Sequence, residues 1–415
     1  MINIENLKKN YFNLWAYVIP ITSFLLIPSI QGTTPAYMFA FLSLGFLFLS
    51  KNYRTNLFFT MIILFLYLCV TFLIKTNKPL VLEPYYMYLL TNQDSSLTNT
   101  LMTQIVYLLP GILLFLFTKL FYKEGWNKAI LYGASFLALY GLYEFIIYLM
   151  FQSNGDFISN RLFDEGHPGS WLQTTNFFGY SFARIKSLTG EPSMYAFSIL
   201  PFWIMSVHHK KKTISYITFI SLLLTFSTTA YLGMISYLIL RLLSLKISMN
   251  KNIILSGYFL IIFFLINTFF QFVDLTGLYS YINSNVIQKI MANDYSGSVR
   301  LRSVIDSWEL FKNIPVVYQV FGIGFGVIRT TNMYMNFLVN LGVIGLITIV
   351  IIFVYPIIKL FRTEYRWLSF LLITILVSFM AVPEFSYLPH WLFLGIAYNR
   401  MKLIKEDLIN HYSYI

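Results

Sequence analysis

Charge is what this chain has least of. Asp, Glu, Lys and Arg make up 11% of the residues, where a soluble domain carries about 25%. So few charges cannot cover a water-facing surface, which excludes a soluble globular protein. Cysteine is almost missing. Cys69 stands alone in an apolar run, leaving no disulfide framework and no cysteine metal site. The five histidines are scattered, without the spacing of metal ligands. Neither a metal nor a cofactor is expected. Acids are outnumbered, 17 against 29 basic residues, for a formal charge of +12. The basic residues fall in short groups between apolar runs. That is the arrangement of topology determinants facing anionic lipid, and no nucleic-acid partner is expected.

Apolar residues are in excess: 57% of the chain, with a mean hydropathy of +0.67. The fold class predicted is all-α, a polytopic integral membrane protein forming one membrane domain over residues 1–415, with the lipid bilayer as its partner. A span needs ~20 apolar residues. On that rule about 12 transmembrane helices are expected. The first five are Tyr11–Ile30 (uncleaved, and kinked at Pro20), Pro35–Ser50, Asn56–Ile74, Leu97–Phe121 and Ala129–Phe151. Pro192–Val207, Thr213–Ser227, Thr229–Leu245 and Asn252–Phe272 follow. Thr331–Leu360, Trp367–Ala381 and Leu388–Leu403 complete the set. Two long polar loops, 152–191 and 273–330, interrupt the series.

With both termini in the cytoplasm, nineteen of the 29 Lys and Arg fall on inner turns and span ends, as the positive-inside rule requires. The lysine run Lys210–Lys212 marks one such turn. The other ten lie outside: Lys75, Lys78, Arg161, Arg184, Lys186, Lys289, Arg300, Arg302, Lys312 and Arg329. Long loops tolerate charge, so any one of them can be plain solvated surface. As a set they suit phosphate, because arginine forks grip phosphate oxygens bidentately.

The stretch ARIKSLTGEPSMY, Ala183 to Tyr195, organises the rest. It sets Arg184, Lys186 and Glu191 at the mouth of an apolar run. A helix start accounts for Glu191 and Pro192, but not for the two cations. In the second long loop Leu301, Val304, Ile305, Trp308 and Phe311 recur at helical spacing, opposite Arg302, Asp306, Glu309 and Lys312. This predicts an amphipathic helix, on the membrane or packed over a cavity. FGIGFG, Phe321 to Gly326, lacks the βαβ surroundings of a nucleotide loop and reads as a compact turn leading to Arg329 and Asn332. Glu144, within the fifth span beside Tyr140, Tyr143 and Tyr148, either lines a cavity or pairs with a cation. Asn332, Tyr195 and the loop histidine His167 complete the candidate cavity lining.

In their order, R-x(6)-EPS (Arg184 to Ser193), SGSVRLRSVIDSWELFKNIP, FGIGFG and NMYMNFLVNLGVIGL resemble the Wzy-type O-antigen polymerases, in the larger family with O-antigen ligases. The likeness runs from about Arg161 to Leu346. It implies a multi-pass glycosyltransferase of the bacterial inner membrane with a periplasmic active site. Such an enzyme moves a growing glycan from undecaprenyl diphosphate to the distal sugar of another undecaprenyl-diphosphate-linked repeat unit. It implies inversion at the anomeric carbon, a Wzz-like chain-length regulator and a flippase of the same pathway. Carried over, Arg184 and Arg300, with Arg302, hold the diphosphate, and Glu191 is the glutamate of the EPS motif. Ligases of this family place a histidine just before the asparagine opening the late span. Here that position is Thr331, which favours the polymerase.

The residue chemistry agrees. A lipid diphosphate is a good leaving group, so the enzyme needs cations for the developing charge and a base for a sugar hydroxyl. Arg184, Arg300, Lys186 and Arg329 suit the first role, and Glu191 suits the second as catalytic base. The competing class is a lipid-linked oligosaccharide flippase. Transporters usually show internal repeats, and the halves here show none.

Overall fold

The computed structural model describes residues 4–28, 30–77, 79–80, 82–92, 96–162, 172–177, 180–244 and 295–412. His167, the predicted span Asn252–Phe272 and the cations Lys78, Lys246, Lys251 and Lys289 lie outside the described residues. The helices are α1 (Ile4–Val18), α2 (Pro35–Leu42), α3 (Lys51–Asn77), α4 (Leu97–Phe121) and α5 (Asn127–Phe151). Then come α6 (Pro192–His208), α7 (Lys212–Leu223) and α8 (Thr228–Ser244). After these follow α9 (Tyr295–Asn313), α10 (Val316–Phe321), α11 (Met333–Leu360), α12 (Arg366–Ser378) and α13 (Leu388–Tyr412).

Among the described residues, four helices are long and apolar enough to cross a membrane: α3, α4, the α5 region (Glu124–Phe151) and α11. Further apolar helices are shorter, among them Lys212–Leu223, Thr228–Ser244 and Arg366–Ser378. This is a helical membrane protein. On α3, Phe58, Phe59, Ile63 and Phe65 are all exposed. An apolar surface of that extent is the mark of a lipid-facing helix.

The core lies where α4, α6, α12 and α13 meet. Nearly all of α6 is buried, and α4 packs along α13. Glycines permit that approach. A Cβ on Gly111 would sit 2.5 Å from the Trp391 indole nitrogen, and one on Gly395 would strike Thr118. Small residues serve the same end at membrane helix interfaces generally.

The first predicted span needs correction. The helix does not kink at Pro20 and run on to Ile30; α1 stops at Val18. Proline lacks the N–H that a continuing helix requires. The following backbone is bonded to the loop after α5. Thr22 and Ser23 donate N–H bonds to the Leu188 carbonyl (2.9 and 3.1 Å), and Asn160 and Arg161 donate to the Ser23 carbonyl (3.1 and 3.0 Å). The Asn160 side chain accepts from Leu25 N at 2.6 Å and donates to its carbonyl at 2.8 Å. Irregular backbone at this depth is tolerated because protein groups satisfy it.

The first long loop also departs from an all-helical chain. It carries an antiparallel pair, β1 (Thr174–Phe177) and β2 (Tyr180–Ala183), with Thr174 opposite Ala183. In the second loop the predicted amphipathic helix is α9. Of its apolar stripe Leu301, Ile305 and Trp308 are exposed and Phe311 is buried, while Ser303, Asp306, Ser307 and Leu310 are buried on the packed side. Asp306 anchors that side. It accepts hydrogen bonds from the Tyr85 hydroxyl (3.0 Å) and the Tyr88 hydroxyl, and pairs with Arg302 at 3.5 Å.

Candidate functional site

The site is built around a break in α11. Gly342 has φ 69° and ψ −175° inside this span. The break leaves carbonyls without their helical donors, and the FGIGFG turn supplies replacements. Ile323 N donates to the Val339 carbonyl at 3.1 Å and Gly324 N to the Asn340 carbonyl at 3.0 Å. Gly322, at φ +81°, lies against this backbone, where any side chain would collide with the Asn340 carbonyl. The buried Asn340 side chain completes the seam. Its Oδ1 accepts from Ile328 N (2.8 Å) and its Nδ2 donates to the Ile328 carbonyl (2.7 Å). Asn340→Leu is therefore expected to cost about 1–3 kcal/mol for each Ile328 group left unpaired. A lowered unfolding midpoint of the detergent-solubilised protein is the readout.

Beside this seam is a cavity of about 160 Å³. Three charged side chains line it: Arg161, Arg329 and Glu384. Gln31, Gln104 and Asn336 add amide groups, and Tyr37 and Tyr107 add phenols. They are brought by several different elements. Arg161 comes from the loop after α5, held by Nε to Gln31 Oε1 (2.9 Å) and Nη1 to the Thr22 carbonyl (3.0 Å). Gln104 and Tyr107 come from α4, and Asn336 from the first turn of α11. Glu384 comes from the connection between α12 and α13, anchored where the Tyr37 hydroxyl donates to the Ser386 carbonyl at 2.9 Å.

Arg329 closes one side. Its main-chain N–H donates to the Leu89 carbonyl at 2.8 Å, and the Thr91 N–H to the Val327 carbonyl at 3.0 Å. Its Nη2 meets Glu384 Oε1 at 2.5 Å, with the arginine side chain 56% exposed and the glutamate 15%. The neighbouring Glu384 charge, against the opposing effect of burial and with Tyr387 and Glu191 adding to it, raises the affinity of Arg329 for its proton. The guanidinium is a permanent cation with an open face.

The sequence candidates divide. Arg329 lines the cavity. Arg300 does not, but its carbonyl accepts from Thr331 Oγ1 at 3.1 Å, which sets the start of α9 beside Arg329 and Asn332. Arg302 is exposed and committed to Asp306. Arg184 is tied by Nε to the Thr225 carbonyl (3.1 Å) and by Nη1 to Gln173 Oε1 (2.9 Å). Glu191 occupies the residue before α6, and its Oε2 accepts from Ser193 Oγ at 3.2 Å.

Lys186, Tyr195 and Asn332 do not have the open placement expected of them, and Glu144, read as lining a cavity or pairing with a cation, does not line this one. Lys186 is buried and ion-paired with Asp156. Glu144 is buried beneath them, accepting from Ser187 N at 2.9 Å. Tyr195 is fully buried, its hydroxyl donating to Ser221 Oγ at 2.7 Å, so it lines no cavity. Asn332 caps α11, its Oδ1 accepting from Tyr334 N and Met335 N; the cavity is reached one turn later, at Asn336. For Lys186, Tyr195 and Asn332 a local or buried partner absorbs the polar group that sequence position alone presents as available, while Glu144 is bonded through Oε2 and its buried Oε1 has no partner among the described residues.

Glu384 and the amides of Gln31, Gln104 and Asn336 were not among the sequence candidates, and Arg161 was only one of ten outer cations. Glu384 carried a signal: it is the sole acid in the turn between two apolar runs, AVPEFSY. Among the described residues no three His, Cys, Asp or Glu side chains gather as a metal site. Basic turns collect at the other end of the bundle, where Lys128 and Lys210–Lys212 line one recess and Lys8, Lys123, Arg400 and Lys402 another. No protein-family model and no curated protein matches this chain.

Proposed function

We propose that the chain is a glycan polymerase of about a dozen spans in the bacterial inner membrane, with the cavity end facing the periplasm. It transfers a growing glycan from undecaprenyl diphosphate to the distal sugar of another lipid-linked repeat unit, building a surface polysaccharide of the O-antigen kind. The observation that carries this reading is the cavity itself. Two arginines and one carboxylate converge on a recess at the loop-rich end of a lipid-embedded helical bundle. Arginines there stabilise a departing diphosphate, and the carboxylate serves proton transfer. Arg300, beside Arg329 through the Thr331 contact, extends the cationic rim. A Wzz-like regulator and the pathway flippase are its partners.

A flippase for the same lipid-linked oligosaccharide is the second reading. The break at Gly342 favours it, since discontinuous spans mark transporter sites. An O-antigen ligase is the nearest alternative enzyme, and Thr331 in place of a histidine weighs against it.

One reconstitution separates these. Purified protein in detergent with chelator is given lipid-linked repeat units extracted from the source organism. A ladder of lengthening glycans is expected on a gel. Absence of a ladder, with passage of the lipid-linked sugar across a vesicle membrane instead, would establish the flippase.

A further inference from the structure

We infer that Glu384 is the group that takes the acceptor hydroxyl's proton, and that Arg329 holds it until the donor's diphosphate displaces it from the arginine. This rests on the polymerase reading. Among the described residues Glu384 is the one carboxylate lining the cavity. Glu191, at the start of α6, does not line it and already accepts from Ser193. Asp306 is buried under two tyrosine hydroxyls on α9.

The geometry is that of a partner exchange. Glu384 Oε1 is occupied by Arg329 Nη2 at 2.5 Å. The glutamate is largely shielded, while more than half of the arginine side chain is open. An anion arriving from the open side meets the guanidinium first, and a diphosphate offers it more oxygens than one carboxylate does. The main chain need not move. Arg329 is held by its N–H to Leu89, and the Glu384 connection by the Tyr37 bond to Ser386. Glu384 already lines the cavity, so release from Arg329 leaves its Oε1 there. Arg161, fixed on Gln31 and Thr22, supplies a second positive charge that keeps the recess attractive to anions during the exchange.

The step then balances. The acceptor hydroxyl oxygen attacks the anomeric carbon of the donor and forms the new C–O bond. The bond from that carbon to the diphosphate oxygen breaks, and its electron pair leaves with the diphosphate, held by Arg329. The hydroxyl proton passes to Glu384 Oε1 and from there to water. Because the carboxylate is released only when diphosphate is present, the base is presented only to a loaded site.

The test uses the full chain in detergent, with undecaprenyl diphosphate as the binding probe and extracted lipid-linked repeat units as substrate. Glu384→Gln is expected to bind undecaprenyl diphosphate at least as tightly as wild type by thermal shift, because Arg329 loses its competitor. Its elongation rate is expected to fall at least about 100-fold, the low end for general-base loss, with KM unchanged. If Glu384→Gln does not fold, Glu384→Asp, which keeps the charge and shortens its reach, is expected to bind normally and elongate slowly. Elongation by either variant within tenfold of wild type overturns the inference and leaves the polymerase reading standing. So does loss of elongation in Glu191→Gln with Glu384→Gln active. A wild-type protein that binds the probe but never elongates overturns the polymerase reading, and the inference with it.

Discussion

Lys186→Met is expected to destabilise the protein by about 3–5 kcal/mol, the usual consequence of removing one partner from a buried ion pair. Lys186 and Asp156 are paired with side chains 4% and 2% exposed. Removing the ammonium strands a carboxylate that water cannot reach. Asp156 is also bonded by the Tyr140 hydroxyl (3.3 Å) and Ser159 N (3.0 Å), so it cannot swing out to solvent. The double variant Lys186→Met with Asp156→Leu removes both charges and is expected to recover most of the loss, since apolar replacement of a whole buried pair is often neutral or better. Unfolding midpoints of the two single variants and the double form the cycle. Retained elongation in the double variant confirms that Lys186 holds the loop and not the diphosphate. A stable Lys186→Met protein that fails only to elongate would return Lys186 to the substrate site.

The same pair sets a pH dependence. Burial alone would raise the Asp156 pKa, but Lys186 and Ser159 outweigh it and hold the group below its ordinary 3.8. A carboxylate with a depressed native pKa contributes fully above its unfolded value. Its contribution is lost as pH falls through the lower native value. Acid loss of this pair therefore begins below pH 3.8, and neutral or mildly acid buffers leave it intact.

Arg329→Ala is expected to slow elongation by 10²–10³, or about 2.7–4 kcal/mol, the range for removing one preorganised charge-stabilising donor. Arg329 lines the cavity and more than half of its side chain is exposed. Arg184→Ala should act differently, because Arg184 joins Gln173 to Thr225 across the loop. Its loss is expected to lower the unfolding midpoint more than the rate. Single-turnover elongation set beside thermal stability for the two variants distinguishes the roles. Equal rate loss in both, without destabilisation of Arg184→Ala, would place both arginines on the diphosphate.

Much of the helical scaffold was legible from local signals. The run predicted for the fourth span coincides with α4, because Ser96 caps its first turn, with its hydroxyl accepting from Asn99 N, and the apolar stretch ends at a basic turn. Pro192 at the first position of α6 set that start equally well. The first span failed because residues 19–28 are mostly apolar yet not helical. Their backbone partners are Leu188 and Asn160, more than 130 residues away.

The site followed the same division. Composition, span pattern and charge placement determined that this is a helical membrane protein with eight of its 29 cations in two long polar loops. Those properties depend on residue type and near neighbours. Tertiary structure alone decided which cations are spent and which are open. Lys186 found Asp156, and Arg184 found Gln173 and Thr225, whereas Arg329, paired with Glu384, lines the cavity with more than half of its side chain exposed. A charge near lipid must be neutralised or hydrogen-bonded wherever a partner is in reach, and reach is a property of the folded chain.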